Sequence, residues 1–252
     1  MKPRLLNLIV LVFFLSACVS RESTQAGQDK QTAAAYNLQL GIEYFSQGNL
    51  TQAKEKLDRS LLQDPNSAQG HAAAGLLYER LNDIPKADQH YSRAVDLEPE
   101  NGDVTNTYAV FLCRRGERTK GEKLALKAAT NALYKTPEAA WFNAGMCVLD
   151  AGNASAAESY FRKSLAVNAK FPSALLQLAL LKYKSKDALQ ARGLLERFHS
   201  VTQATAESLV LGMRVEHDLG NSFAASEYAR RLKSEFPLAT QTRDLLESES
   251  KK

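Results

Sequence analysis

Proline is scarce, seven in 252 residues, and no stretch alternates apolar with polar residues through a Val/Ile/Thr-rich run. A β-fold therefore has no support in the pattern. Three cysteines are too few for a scaffold held by disulfides. Charge of one sign is lacking too: 32 basic residues stand against 28 acidic ones, a formal net charge of +4. Taking away Lys2 and Arg4 with the leading segment leaves 4 − 2 = +2. So small an excess forms no basic stripe, and no nucleic-acid partner is expected. The longest apolar run, Leu5 to Leu15 with Asn7 as its one interruption, is about half of what crosses a ~30 Å hydrocarbon core.

Signatures of chemistry are also missing. There is no Gly-x-Gly-x-x-Gly, no phosphate-binding Walker loop and no Gly-x-Ser-x-Gly. His71, His90, His199 and His217 read as lying in different repeats with no paired spacing for zinc. Carboxylates such as Glu55, Asp58 and Glu158 are scattered as on solvated helix faces. The expectation is a protein without catalysis, cofactor, metal or small-molecule substrate.

What is present begins at the N-terminus. Lys2 and Arg4 precede the apolar run, which leads directly into Leu15-Ser16-Ala17-Cys18. A basic start, a short apolar core and small residues before a cysteine resemble the signal peptide and lipobox of bacterial lipoproteins. That resemblance implies a signal peptide over 1–17 and a lipid on Cys18, several acyl chains making the attachment lasting. Val19 is not the aspartate that retains such proteins in the inner membrane, so the outer membrane, periplasmic face, is expected. Residues 18–33 carry almost nothing apolar to bury and read as a flexible tether.

The rest of the chain repeats. Small residues recur at Gly41, Gly75, Ala109, Gly145, Ala179 and Gly212, with spacings of 34, 34, 36, 34 and 33. A second small residue follows twelve positions later each time, at Ala53, Ala87, Gly121, Ala157, Ala191 and Ala224. Two antiparallel helices approach closely only where side chains are small, and Gly48-Asn49, Asn82-Asp83, Gly116, Gly152-Asn153 and Gly220-Asn221 break the first helix of most units. Prolines 65, 99, 137, 172 and 237 read as closing units. The pattern resembles the tetratricopeptide repeat. The implied fold is all-α, a right-handed superhelical solenoid of about six such repeats over 34–238: 34–67, 68–101, 102–137, 138–171, 172–204 and 205–238. The third and fifth are the weakest matches, and 239–252 reads as a capping helix and tail with Leu245 and Leu246 on one side.

In this fold the concave face is lined by set positions of each first helix. Here they hold Leu38, Ile42, Phe45, Leu76, Arg80, Val110, Phe142, Met146, Leu149, Leu176, Leu180, Tyr183, Leu209 and Met213, with polar interruptions that include Glu79 and Glu216. Such a groove suits an amphipathic helix or an extended peptide. Cys113 and Cys147 fall late in the first helices of neighbouring units, and spacing leaves open either a bridge or two buried thiols. The basic residues Arg114, Arg115, Arg118 and Lys120 gather at one turn, read as a solvated face.

Some strings are more particular: Phe111-Leu112-Cys113, Tyr134-Lys135-Thr136-Pro137-Glu138, Asn143-Ala144-Gly145-Met146-Cys147 and Thr205 through Glu216. Together these resemble the type IV pilus biogenesis and stability lipoprotein family, PilF/PilW. The resemblance implies a pilotin, a monomer that binds the PilQ-like pilus secretin and helps it localise and multimerise in the outer membrane, serving twitching motility. It also implies a disulfide between Cys113 and Cys147. A repeat lipoprotein that regulates peptidoglycan synthesis, or one that serves outer-membrane protein assembly, is the competing reading.

Overall fold

Ala, Leu, Lys, Glu and Gln are good helix formers, and in a computed structural model that describes residues 30–249 they build helices and no strand among those residues. The helices are α1 (30–46), α2 (Leu50–Gln63), α3 (Ala68–Arg80), α4 (Ile84–Leu97), α5 (Gly102–Arg114), α6 (Arg118–Ala129), α7 (Pro137–Leu149), α8 (Ala154–Val167), α9 (Pro172–Lys184), α10 (Ala188–Val201), α11 (Ala206–Asp218), α12 (Ser222–Glu235) and α13 (Thr240–Glu249). The signal peptide, Cys18 and most of the tether lie outside the described residues. Residues 30–33, expected in the tether, are helical and open α1.

Each repeat is a pair of helices joined by a turn in which one residue takes a positive φ: Gly48, Asn82, Gly116, Gly152, Lys186 and Gly220. The next residue caps the start of the second helix. Asp83, Asn153, Asp187 and Asn221 each accept a backbone N–H from three residues on, the usual way to satisfy an orphan helix donor. Pro137 and Pro172 stand at the first position of α7 and α9. They therefore open units instead of closing them, because a helix start has no use for the N–H that proline lacks.

The contacts fall into two compact units, residues up to Tyr108 and residues from Ala109 on. In the first, Ala53, Leu57, Ala73 and Leu77 form one buried cluster and Ala68, Ala94 and Val104 another. Gly75 faces Tyr91: a Cβ there would stand 2.7 Å from the ring, so the crossing admits glycine and a large partner. In the second unit the main core runs from Val148 and Phe161 through Leu175, Leu178 and Leu195 to Val215. Full burial of one such side chain contributes about 1.5–3 kcal/mol. The crossing rule recurs with Gly145 against Phe161 and Gly212 against Tyr228. In α12 the buried small residue is Ala225, one place after the expected Ala224. α13 packs on α11. Its anchor is Thr242, 2% exposed, whose Oγ1 donates to the Phe236 carbonyl at 2.6 Å. Leu245 is half-buried and Leu246 is 49% exposed, so the two leucines do not share a buried side.

Candidate partner-binding groove

The expected lining residues sort by unit. In the first, Leu38 and Phe45 are half-buried and pack on the cluster around Leu57 and Leu77, Ile42 and Leu76 are exposed, and so is Arg80. In the second, Phe142, Met146, Leu149, Leu180 and Tyr183 lean on the main core with their outer sides open, and Val110 and Met213 are likewise half-buried. Phe142 stacks obliquely on Phe161 and meets Phe171 edge-on, which fixes its ring. Two expected lining residues are core instead. Leu209 is 0% and Leu176 8% exposed. The cause is crowding: α11 touches α9, α10, α12 and α13, and α9 touches α8, α10 and α11, so neither side chain has an open side.

Two of the polar positions, Glu79 and Glu216, are engaged within the fold. Tyr91 Oη donates to Glu79 at 3.0 Å. Glu216, expected on the inner face, is buried at 5% exposure and accepts from Arg192 Nε and Nη2, at 2.7 and 2.5 Å, and from Asn221 Nδ2 at 3.0 Å. A buried carboxylate needs such partners. At the far end of the second unit a cavity of about 500 Å³ is lined by Tyr183, Met213, His217, Asp218, Ala229 and Leu245 among others. Burial pushes the Tyr183 hydroxyl above its ordinary pKa, and its hydrogen bond to Asp218 adds to the shift. Sequence reading missed this cavity because one wall belongs to α13, whose placement no repeat pattern gives.

Cys113 of α5 and Cys147 of α7 are joined in a disulfide, their Cα atoms 5.2 Å apart. The link lies beside Gly121, where a Cβ would meet Cys113 Sγ at 2.3 Å and the Ala109 carbonyl oxygen at 2.8 Å. Arg114, Arg115, Arg118 and Lys120 are exposed around the same turn, with Lys120 paired to Glu117. His71 and His90 depart from the expected isolation: both belong to the second repeat, and their Nδ1 atoms are 3.0 Å apart. Among the described residues no three His, Cys, Asp or Glu stand together as metal ligands, and no helix is long and apolar enough to cross a membrane.

Paired helices crossing at glycine, the left-handed residue in each intervening turn and a half-exposed apolar face on the first helices define a tetratricopeptide-repeat protein. A family model for that repeat matches residues 38–102 and 123–174, which omits most of α5 and the last two repeats. The chain is 31% identical to the type IV pilus assembly protein PilF of Pseudomonas aeruginosa over 94% of its own length and 95% of that protein's. The solved structure of P. aeruginosa PilF, 29% identical, superposes over 87% of this chain and 99% of that one with a TM-score of 0.76. PilW, described as a widely conserved type IV pilus biogenesis factor, is 28% identical over 84% of this chain and 98% of its own, also with a TM-score of 0.76. The chain belongs to the PilF/PilW family of type IV pilus biogenesis proteins.

Proposed function

We propose that this protein is an outer-membrane lipoprotein pilotin. Cys18 carries the lipid, and the inner faces of the first helices hold the type IV pilus secretin, promoting its localisation and multimerisation in the outer membrane. It acts by binding alone, as a monomer, with no cofactor beyond the covalent lipid. The observation that carries the reading is the family membership over nearly the whole chain. The face formed by Phe142, Met146, Leu180, Tyr183 and Met213 supports it, since these are large side chains with open outer sides on a buried core. Large apolar anchors with few polar groups are what a groove for an amphipathic segment requires. The unbranched methionines let such a face accommodate differently shaped partners.

The test is the secretin's state in membranes from cells lacking this protein and from cells carrying Cys18→Ala. Heat- and detergent-resistant secretin multimers are followed on gels, and inner and outer membranes are separated. The expected result is loss of multimers in the deletion, with multimers present but misplaced in Cys18→Ala. Normal, correctly placed multimers in both strains would remove the pilotin reading and favour an adaptor for cell-wall synthesis or outer-membrane protein assembly.

A further inference from the structure

The second repeat holds a contact that the binding face does not use. His71 Nδ1, on α3, lies 3.0 Å from His90 Nδ1, on α4. The other nitrogen of His71, Nε2, lies 3.1 Å from the carbonyl oxygen of Pro65, in the turn after α2. A carbonyl only accepts, so His71 Nε2 carries the hydrogen and donates it. In the neutral ring Nδ1 is then a bare lone pair, and His90 must donate its Nδ1–H to it. His90 Nε2 is left bare. A chain of two hydrogen bonds thus runs from α4 through α3 to the end of the first repeat.

The surroundings fix what a proton does there. The His90 ring stacks on Tyr78 with centroids 5.3 Å apart, and the Lys86 ammonium stands 5.1 Å from the Tyr78 ring centre. Burial, with repulsion from His71 and Lys86, disfavours charge on His90, while Asp58 of α2 favours it. Asp88, Arg93 and Asp96 of α4 line a cavity of about 600 Å³ beside the pair. A first added proton goes to His90 Nε2, away from the contact, and leaves the Nδ1–H donor in place, now charge-assisted. A second has only His71 Nδ1 to bind, which is the acceptor itself. Two N–H groups and two positive charges then face one another across 3.0 Å, and the contact cannot persist.

We propose that the His71–His90 pair is a proton-operated latch. It fastens the Pro65 turn and the start of α3 to α4 while it holds at most one extra proton, and it lets go when acidification adds the second. Because the rings share a single hydrogen bond, a proton taken up by either one changes what that bond can hold. Release loosens the segment from Asp64 to His71, which then keeps its local backbone bonds, such as Ser67 N–H to Asp64 and His71 N–H to Ser67, the bond from Arg93 Nη2 of α4 to Asn66 Oδ1 at 3.0 Å and the packing of Ala68 on Ala94 and Val104. Local opening of this kind is read by amide exchange.

The experiment uses the full-length chain in detergent, with labelled histidine for NMR and amide exchange for the 64–71 segment. At neutral pH the spectra should show His71 protonated on Nε2 and His90 on Nδ1. Titration should give two steps more than about one pH unit apart. Exchange over 64–71, corrected for intrinsic rates, should quicken at least about tenfold below the lower step. His90→Asn separates latch from bystander, since an asparagine amide can turn over and bond His71 in either protonation state; its exchange should lose that quickening. His90→Phe keeps the stack on Tyr78 and removes the donor, so exchange should be fast at every pH. Independent single titrations of both rings in the ordinary histidine range would overturn the proposal. So would quickening that persists in His90→Asn. Should a variant fail to fold, the wild-type tautomers and step separation decide alone.

Discussion

Two positions carry more of the fold than their side chains suggest. Lys186 has φ 66°, the left-handed conformation that glycine holds at 48, 116, 152 and 220 and asparagine at 82. A side chain with a Cβ costs about 1–2 kcal/mol there, while glycine costs about 0.5–1 kcal/mol through unfolded-state freedom. Lys186→Gly is therefore expected to stabilise by about 0.5–1 kcal/mol, seen as a higher urea midpoint at unchanged slope. A lower midpoint would mean that the turn is not strained. Gly121 has the opposite logic. Its missing Cβ makes room for Cys113 Sγ and for the Ala109 carbonyl oxygen, and a backbone oxygen cannot swing aside. Gly121→Ala gains about 1 kcal/mol in helix propensity but forces α5 and α6 apart, which costs about 1–3 kcal/mol or more. Net destabilisation is expected in thermal unfolding, and a neutral result would show that the crossing yields.

At the scale of helices, the disulfide ties α5 to α7 across 34 residues. The chain-entropy relation for a loop of that length gives about 3–4 kcal/mol. Reduction, or Cys113→Ser with Cys147→Ser, should lower unfolding stability by an amount up to that figure, measured by denaturant titration with and without reductant. A shift below about 1 kcal/mol would mean that packing alone holds α5 against α7. The helices themselves were legible because each crossing demands small residues at a fixed interval, so Gly41, Gly75, Gly145 and Gly212 announced the repeat. Lys186 went unread because lysine carries no turn signal, although it does the work of glycine in the fifth repeat. Pro137 was legible as a boundary but not as to which side it bounds. Leu209 fitted the lining pattern, yet its burial depends on four neighbouring helices, and periodicity along one helix cannot report that. The His71–His90 contact joins residues 19 apart that meet only because α3 and α4 run antiparallel.

Over the whole molecule, pH gathers contacts that are separate in space into one stability curve. His90 and His199 are half-buried, and burial is the foremost cause that pushes each below its ordinary value; Arg231 adds to the push on His199. The unfolded chain then binds protons that the folded chain refuses in the interval just below 6.5, so stability rises with pH there. The contribution is complete above 6.5 and is lost as pH falls through the folded-state values. Carboxylates act lower on the scale. Glu158 is held below 4.5 chiefly by its bond to Lys182, with burial opposing and Arg162 assisting; Glu227 and Glu235 are held down by Arg230 and Arg231. Their support is present above 4.5 and fades as pH drops through their depressed values. Denaturant midpoints measured from pH 8 to pH 3 should therefore show a plateau, a first decline beginning below about 6.5 and a second below about 4.5. His199 Nε2 donates to Ser208 Oγ at 3.0 Å, since that hydroxyl already gives its hydrogen to the Thr205 carbonyl. His199→Gln keeps a donor for Ser208 and cannot titrate, so it should shrink the first decline and leave the second intact. An unchanged first decline in that variant would assign the whole of it to His90.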